Sequence, residues 1–155
     1  MKFLVDSSVF LHLLLDEERA DDAINILSSV ERGDAVGFIT VMIAEEVSFK
    51  LLIAKASEMG VKGFWEFKRR FQKDKNFREK CVEPVNQFME YLDNLLGLAW
   101  VQILPLDWRN AAQIIKMYGL LPSDAIHASI AKRLNLPIAT FDFDFKRIPE
   151  LKTIP

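Results

Sequence analysis

The sequence predicts an α/β protein with a mainly parallel central sheet. Short apolar runs, which are typical of buried strands, alternate along the chain with longer segments whose apolar residues recur at helical spacing. Because parallel strands need crossover connections, which usually contain a helix, this alternation favours a parallel sheet covered by helices. The chain has 155 residues, of which 50% are hydrophobic and 27% are charged, so it is long enough for one domain with a substantial core.

The first part of the chain contains two predicted strands and three predicted helices. Lys2–Val5 and Val36–Ile39 are short apolar runs that predict buried strands. Residues 9–15 are apolar almost throughout, and we expect them to be helical. Residues 17–30 and 44–56 carry apolar side chains along one helical face, which predicts two amphipathic helices.

The second part begins with a segment of different composition. Residues 58–96 are rich in charged and aromatic side chains and are expected to form two helices, the second starting near Pro84. We expect this segment to be a helical projection within a single domain that spans residues 1–155. Beyond it, the pattern predicts strands at 101–104, 137–140 and 152–154 and helices at 109–118 and 124–134.

Several acidic residues stand at the ends of predicted strands or at the starts of predicted helices. One follows the first strand, one begins a late helix, two follow the strand at 137–140, and one lies early in the helix after the second strand. Because parallel sheets bind ligands at the carboxyl ends of their strands, we expect these side chains to share one edge of the sheet. They are Asp6, Asp124, Asp142, Asp144 and Glu46.

Clustered carboxylates favour a metal site. They repel one another and resist the loss of water, and a hard divalent cation with oxygen ligands relieves both costs. Taken singly, each acid has a simpler explanation: Asp124 would favour a helix N-terminus, and Asp6 would accept hydrogen bonds from loop amides. No nucleophile stands beside His12 or His127, and we expect both to be ordinary core or surface residues.

Four segments carry a recognisable pattern: residues 3–9 (FLVDSSV), 39–47 (ITVMIAEEV), 121–128 (LPSDAIHA) and 138–145 (IATFDFDF). In this order they resemble the PIN-domain family and, within it, the VapC-type toxins of toxin–antitoxin pairs. The resemblance spans nearly the whole chain. It implies a three-layer α/β/α sandwich and a ribonuclease that needs Mg²⁺ or Mn²⁺. By position, the family's metal-binding acidic quartet corresponds to Asp6, Glu46, Asp124 and Asp142.

The resemblance assigns supporting roles to three more residues. Asp144 matches a commonly present extra acid, and the hydroxyls of Ser7 and Thr140 match positions that support the quartet by hydrogen bonding. Glu46 fits the spacing of the family better than its neighbour Glu45 does.

The resemblance also implies partners. An RNA substrate, an antitoxin protein and a homodimer are expected, and in toxins of this family the region of residues 58–96 often forms the dimer or receives the antitoxin. The apolar helices at 11–15 and 85–96 offer a dimer face, although they serve equally well as core.

A basic and aromatic cluster stands within the 58–96 segment. Its positive charges are suited to an RNA backbone or to an acidic antitoxin segment. The simpler alternative is that these charges form a solvated helical face, and we expect the nearby aromatic side chains Phe64, Trp65, Phe67 and Phe71 to pack inward. The basic residues are Lys68, Arg69, Arg70 and Lys73.

The net charge of −2 excludes a broadly basic nucleic-acid binder, so any contact with RNA must be local. No apolar run reaches the roughly 18 residues that cross a bilayer, and the start lacks the layout of a signal peptide. We therefore expect a cytoplasmic protein without a membrane segment.

The alternative function is a catalytically inactive PIN-like module that docks protein or RNA. Retention of clustered carboxylates, which are costly without a metal, favours the enzyme.

Overall fold

The computed structural model describes residues 1–155 and contains five strands and seven α-helices. No helix combines the length and the apolar character needed to pass through a lipid bilayer. The elements in chain order are β1 (Lys2–Val5), α1 (Ser7–Leu14), α2 (Ala20–Glu31), β2 (Val36–Ile39), α3 (Val41–Glu58), α4 (Phe64–Lys73), α5 (Lys75–Asp93), β3 (Leu98–Trp100), α6 (Pro105–Tyr118), α7 (Pro122–Leu134), β4 (Ile138–Ala139), a 3₁₀ helix (Phe143–Arg147) and β5 (Thr153–Ile154).

All five strands are parallel and lie in the order β3-β2-β1-β4-β5. The chain adds strands in one direction as far as β3, and then returns through α6 and α7 to place β4 on the other side of β1. The strand order therefore reverses between β1 and β4, which is where α/β sheets commonly bind ligands. Helices flank the sheet, and the predicted α/β/α sandwich with a parallel sheet is confirmed.

The main core lies between the sheet and its helices. Leu4 and Val5 of β1 are fully buried, and the ring of Phe10 on α1 meets that of Phe88 on α5 edge to face at 5.5 Å. Burying each side chain of this size stabilises the fold by about 1.5 to 3 kcal/mol. Gly97 allows the chain before β3 to approach the start of β2 and the end of α2 closely, because a Cβ there would lie 2.0 Å from the carbonyl oxygen of Ala35 and 2.9 Å from that of Val30.

A smaller apolar cluster lies beneath α4. Phe67 of α4 packs with Phe77 and Cys81 of α5 and with Ala56 and Val61 at the end of α3 and just beyond it. This cluster is separate from the core of the sheet. The first half of α5 and all of α4 therefore pack against the far end of α3.

Two boundary predictions were wrong. The strand expected at 101–104 lies at Leu98–Trp100, because β2 ends at Ile39, the partner of Trp100, and offers no further strand to pair with. Pro84 stands inside α5 rather than near its start. The helix begins earlier because the Asp74 side chain caps it, accepting a hydrogen bond from the Phe77 amide at 3.0 Å.

Candidate functional site

The carboxyl ends of β1, β2 and β4 carry the side chains that organise the site. Asp6 follows β1 and caps α1, while Thr40 follows β2 and caps α3 by accepting a hydrogen bond from the Ile43 amide at 3.2 Å. Thr140 follows β4. Because parallel strands end at the same edge of a sheet, the helix caps and the loop after β4 lie together.

Asp6 is held in place through one of its two carboxylate oxygens. Its Oδ2 accepts hydrogen bonds from the Ser8 hydroxyl at 2.6 Å, from the Thr140 hydroxyl at 2.9 Å and from the Ser8 amide at 3.3 Å. The residue is only 4% exposed. Its Oδ1 accepts no hydrogen bond from the protein, so this oxygen remains free to meet a ligand at the sheet edge.

The same two hydroxyls shape the loop after β4. Ser8 Oγ accepts a hydrogen bond from the Phe141 amide at 3.0 Å, and Thr140 Oγ1 accepts one from the Asp142 amide at 3.0 Å. Asp142 Oδ1 in turn accepts a hydrogen bond from the Asp144 amide at 2.8 Å, and Asp142 thereby caps the start of the 3₁₀ helix. The loop that carries both acids is thereby folded toward Asp6.

The hydroxyl beside Asp6 belongs to Ser8 and not to Ser7. Ser7, which the resemblance gave a supporting role, is buried but makes no side-chain hydrogen bond to any of the acids. The reason is local, because an N-cap side chain bonds to residues two or three positions into its helix, and Ser8 is the second residue of α1. The sequence signal that could have identified Ser8 as the partner of Asp6 is the position of Asp6 as the N-cap of α1.

Asp124 lies in the first turn of α7, and the charges of the other acids affect the pKa of its carboxyl. Burial raises the pKa of its carboxyl, and the negative charges of Asp6, Asp142, Glu46 and Asp144 raise it further, to about 6. The structure therefore brings all five acids close enough for their charges to act on one another.

Glu46 has one oxygen engaged and one without a partner. Its Oε1 accepts a hydrogen bond from Lys50 Nζ at 2.9 Å, one turn along α3. Its Oε2 is buried and has no hydrogen-bond partner. Glu45 is exposed to solvent, as expected for adjacent helical residues that point about 100° apart. A buried, unpaired carboxylate oxygen is costly, which makes Oε2 a candidate ligand-binding atom.

These residues fit a divalent cation in chemistry, although they do not form a closed cage. Carboxylate oxygens are the ligands that Mg²⁺ and Mn²⁺ prefer, and both Asp6 Oδ1 and Glu46 Oε2 are unpaired. No three acidic side chains converge tightly enough to enclose an ion. Mg²⁺ usually keeps several waters and takes few protein carboxylates. The arrangement therefore suits an open, partly hydrated site.

Positive charges stand beside the acids, and the sequence analysis missed them. Lys146 and Arg147 follow Asp144 in the 3₁₀ helix, and Arg147 Nε lies 3.4 Å from Asp144 Oδ1. The Lys146 ammonium lies 4.7 Å from the centre of the Phe143 ring, which is 71% exposed. A positive group over an exposed aromatic ring next to Asp142 is suited to a phosphate and an unpaired base.

The basic residues of α4 are not brought to the acids. Lys68, Arg69, Arg70 and Lys73 are exposed, and none forms an ion pair with a carboxylate of the cluster. Arg70 instead lies 4.3 Å from the centre of the Phe77 ring. The buried face of α4 packs against the far end of α3, away from the turn that carries Glu46, so its basic residues lie apart from the acids.

The expected inward packing of the α4 aromatic residues was partly wrong. Phe67 is 6% exposed and Phe71 is partly buried, but Phe64 is 47% and Trp65 is 75% exposed. Trp65 lies about 100° around the helix from Phe64, outside the buried stripe. The Lys68 ammonium lies 5.5 Å from the centre of its ring.

Solved structures of similar fold include toxin–antitoxin complexes. VapBC2 from Rickettsia felis, bound to a DNA fragment from its promoter, superposes with a TM-score of 0.62 and 15% identity, covering 99% of this chain and 98% of that one. A toxin–antitoxin complex from Klebsiella pneumoniae gives a TM-score of 0.60 and 15% identity, covering 99% and 96%. At such identities the likeness shows the fold alone.

Sequence comparison gives the family. Two curated proteins of Methanocaldococcus jannaschii are similar along nearly their whole length. Ribonuclease VapC6 is 28% identical over 97% of this chain and 94% of its own, and ribonuclease VapC2 is 28% identical over 99% and 93%. The PIN domain family model matches residues 3–151. With nearly every residue inside that match, and the parallel sheet and acidic edge in place, the chain belongs to the PIN domain family.

Proposed function

We propose that this protein is a ribonuclease that hydrolyses RNA phosphodiester bonds with Mg²⁺ or Mn²⁺, and that it acts in the cytoplasm as the toxin of a toxin–antitoxin pair. The observation that carries the proposal is the gathering of five carboxylates at one sheet edge: burial raises the pKa of Asp124, and the negative charges of the other four acids raise it further, to about 6. Membership of the PIN domain family and two relatives named as ribonucleases support it.

The acidic residues have different roles in the proposed reaction. Asp6, Asp124 and Asp142 would hold the cation, with Asp144 as an additional acid beside them. A divalent cation held by these residues would lower the pKa of a water molecule and shield the charge of the phosphate. Glu46 completes the site, because its unpaired Oε2 is available to accept a hydrogen bond from the attacking water and orient it.

The hydroxyls of Ser8 and Thr140 fix the orientation of Asp6. Both donate to Oδ2, so Oδ1 is the oxygen presented to the cation. We therefore propose a supporting role for Ser8 and Thr140, and none for Ser7, whose side chain makes no hydrogen bond to Asp6.

We propose that RNA approaches over the 3₁₀ helix. Phe143 offers an exposed ring for an unpaired base, and Lys146 and Arg147 offer charge for the backbone. The basic surface of α4 is separate from this path. We assign Lys68, Arg69, Arg70 and Lys73 to a second contact, with an outlying part of the RNA or with an acidic antitoxin segment.

We also propose an antitoxin partner and a homodimer. The structures of similar fold described as toxin–antitoxin complexes support the first. The helices first expected to form a dimer face are largely committed to the core, since Phe88, Leu92 and Leu95 are buried. Two exposed apolar side chains on one side of α6, Trp108 and Ile115, offer a face in their place. Light scattering coupled to size exclusion gives the oligomeric state of the purified chain.

Cleavage of a mixed single-stranded RNA pool tests the proposed activity. Purified wild type should cut with Mg²⁺ or Mn²⁺ and stop when EDTA is added, and Asp6→Asn should not cut. The matched control is Asp34→Asn, because Asp34 is exposed and stands before β2, at the opposite end of the sheet. Equal cutting by wild type and Asp6→Asn would refute the site.

The alternative function is a PIN-like binding module without catalysis. It predicts that folded wild type binds RNA or a partner protein but leaves every RNA intact, with or without a cation. Anisotropy of labelled RNA, measured beside the cleavage assay, separates the two functions because binding without metal-dependent cutting belongs only to the module.

A further inference from the structure

His127 is a buried polar residue that the proposed chemistry leaves without a role. It is 1% exposed, and neither of its ring nitrogens has a hydrogen-bond partner. Burial lowers the pKa of the imidazole, while the charges of Asp6 and Glu46 act to raise it. A neutral imidazole has one N–H to donate and one nitrogen to accept with, so a buried ring of this kind calls for a specific partner.

Its position in the fold points toward α3. Ser123 and Met42 bring the first turns of α7 and α3 into contact, with Ser123 Oγ 3.7 Å from Met42 Sδ. One helical turn beyond that contact, α7 carries His127 and α3 carries Glu46. Asp124 lies one turn before His127 on the same helix, and the charges of Asp6 and Glu46 act on the ring, so the imidazole lies close to the acidic cluster.

Glu46 supplies the complementary atom. Its Oε2 is buried without a donor, while its Oε1 is held by Lys50, whose side chain is 52% exposed. Asp6, the other carboxylate that acts on the ring, already accepts three hydrogen bonds at Oδ2 from Ser8 and Thr140. Among the charged groups that act on the imidazole, Glu46 is therefore the one with a buried oxygen left to satisfy.

We propose that His127 is a positioning residue for Glu46: its ring N–H donates to one lone pair of Glu46 Oε2, directly or through one bound water, and holds that carboxylate toward the acidic cluster against the outward pull of Lys50. The second lone pair of Oε2 stays available for the attacking water. The role rests on the proposed function, because it concerns the acid that completes the metal site. Partners of this kind, which orient the groups around a metal, commonly change metal affinity by about 10- to 100-fold when removed.

The pairing itself is tested without any metal. The chain has two histidines, so ring resonances of protein labelled with ¹⁵N-histidine are assigned with a His12→Gln variant. We expect a slowly exchanging ring N–H at His127 that shifts in Glu46→Ala and stays in place in Glu45→Ala, the exposed neighbour on α3. Ring resonances of His127 that are identical in wild type and Glu46→Ala would overturn the pairing.

The effect on the site is tested by titrating Mn²⁺ into folded protein. His127→Leu, which removes the donor, should weaken Mn²⁺ binding by about tenfold, and His127→Gln, which keeps an N–H, should stay within about threefold of wild type. Equal losses in the two variants would point to packing alone and overturn the positioning role. Thermal unfolding of each variant confirms that it is folded.

The proposed function and the role of His127 can be refuted separately. If wild type binds no divalent cation, the proposed function fails, while the resonances of His127 still decide the pairing with Glu46. If wild type binds Mn²⁺ and His127→Leu binds it equally well, the proposed function stands and the role of His127 is wrong.

Discussion

Thr140 donates a hydrogen bond from Oγ1 to Oδ2 of Asp6 across 2.9 Å, which ties the loop after β4 to the end of β1. The same hydroxyl oxygen accepts the Asp142 amide at 3.0 Å. One side chain thus orients Asp6 and also shapes the segment that carries Asp142, so the two acids are positioned together.

Replacing Thr140 by Val should disturb both acids at once. The variant leaves the Asp142 amide without its acceptor and removes a donor from Asp6, so we expect a stability loss of about 1 kcal/mol and a loss of RNA cleavage of about tenfold or more. Thr140→Ser is the matched control because it keeps the hydroxyl. Urea unfolding and the cleavage assay measure the two effects, and a fully active Thr140→Val would contradict the account.

Asp124 gives a pH dependence whose sign follows from its pKa. The folded value of about 6 lies above the ordinary 3.8, so the folded state holds the proton more tightly between these values. The contribution of Asp124 to stability therefore falls as the pH rises from about 4 to about 6, and stays low above that.

Asp124→Asn should accordingly stabilise the metal-free protein at pH 8 by on the order of 1 kcal/mol, a figure reduced for solvent screening, and should bring no gain at pH 4. Saturating Mg²⁺ should reverse the order at pH 8, since wild type then gains a bound cation. Urea unfolding at the two pH values measures this. An equal gain at both would show that the charge of Asp124 is not the cause.

An ion pair between the buried Asp107 and the exposed Arg133 joins α6 to α7. Arg133 Nε lies 2.7 Å from Asp107 Oδ1, its Nη2 lies 2.9 Å from Oδ2, and the Asp107 side chain is fully buried. Burial alone would raise the pKa of Asp107, but hydrogen bonds from Arg133 and from the Leu104 amide lower it overall. The stabilisation is thus present above the ordinary pKa and is lost as the pH falls through the folded pKa.

Asp107→Ala should destabilise the protein by about 2 kcal/mol, because it removes the charge-assisted hydrogen bonds from Arg133 and the acceptor of the Leu104 amide. Equilibrium unfolding at pH 7 measures the change. The matched control is Asp34→Asn, whose partner Arg32 is exposed and which should change stability by less than about 0.5 kcal/mol. Similar losses in the two variants would mean that burial of Asp107 is unimportant.

Two exposed aromatic residues allow the path of RNA to be located. Phe143 stands beside Asp142 with Lys146 over its ring, and Trp65 stands on α4 with Lys68 over its ring. Phe143→Ala should weaken the binding of single-stranded RNA by about tenfold, while Trp65→Ala should change it little. Anisotropy titration in an Asp6→Asn background, where cutting is absent, measures both. A larger loss in Trp65→Ala would move the RNA path to α4.

Hydrophobic patterning alone predicted the bounds of those strands that depend only on their own residues. Lys2–Val5 and Val36–Ile39 were predicted at their observed bounds, because each is an apolar run that ends at a polar helix cap. The third strand was misplaced because the extent of an edge strand depends on where its neighbour ends, which here is Ile39. The sequence of residues 98–104 does not show where β2 ends.

The acidic residues were foreseen because strand ends of a parallel sheet meet at one edge. Their polar surroundings were less predictable. Ser8 was missed because the hydrogen bonds of an N-cap depend on helix geometry, and His127 because its burial beneath the site depends on how α7 meets α3. Trp65 was expected inside, although it lies off the apolar stripe of α4.

Calorimetric titration of Mn²⁺ tests the central claim most directly, because cation binding does not depend on finding the right RNA. Wild type and the Asp34→Asn control should bind Mn²⁺ with the same affinity. Asp6→Asn, which keeps an oxygen for the Ser8 and Thr140 hydroxyls but loses the charge, should bind about tenfold or more weakly. Equal binding by wild type and Asp6→Asn, or no binding by folded wild type, would contradict the assignment of this sheet edge as a divalent-cation site.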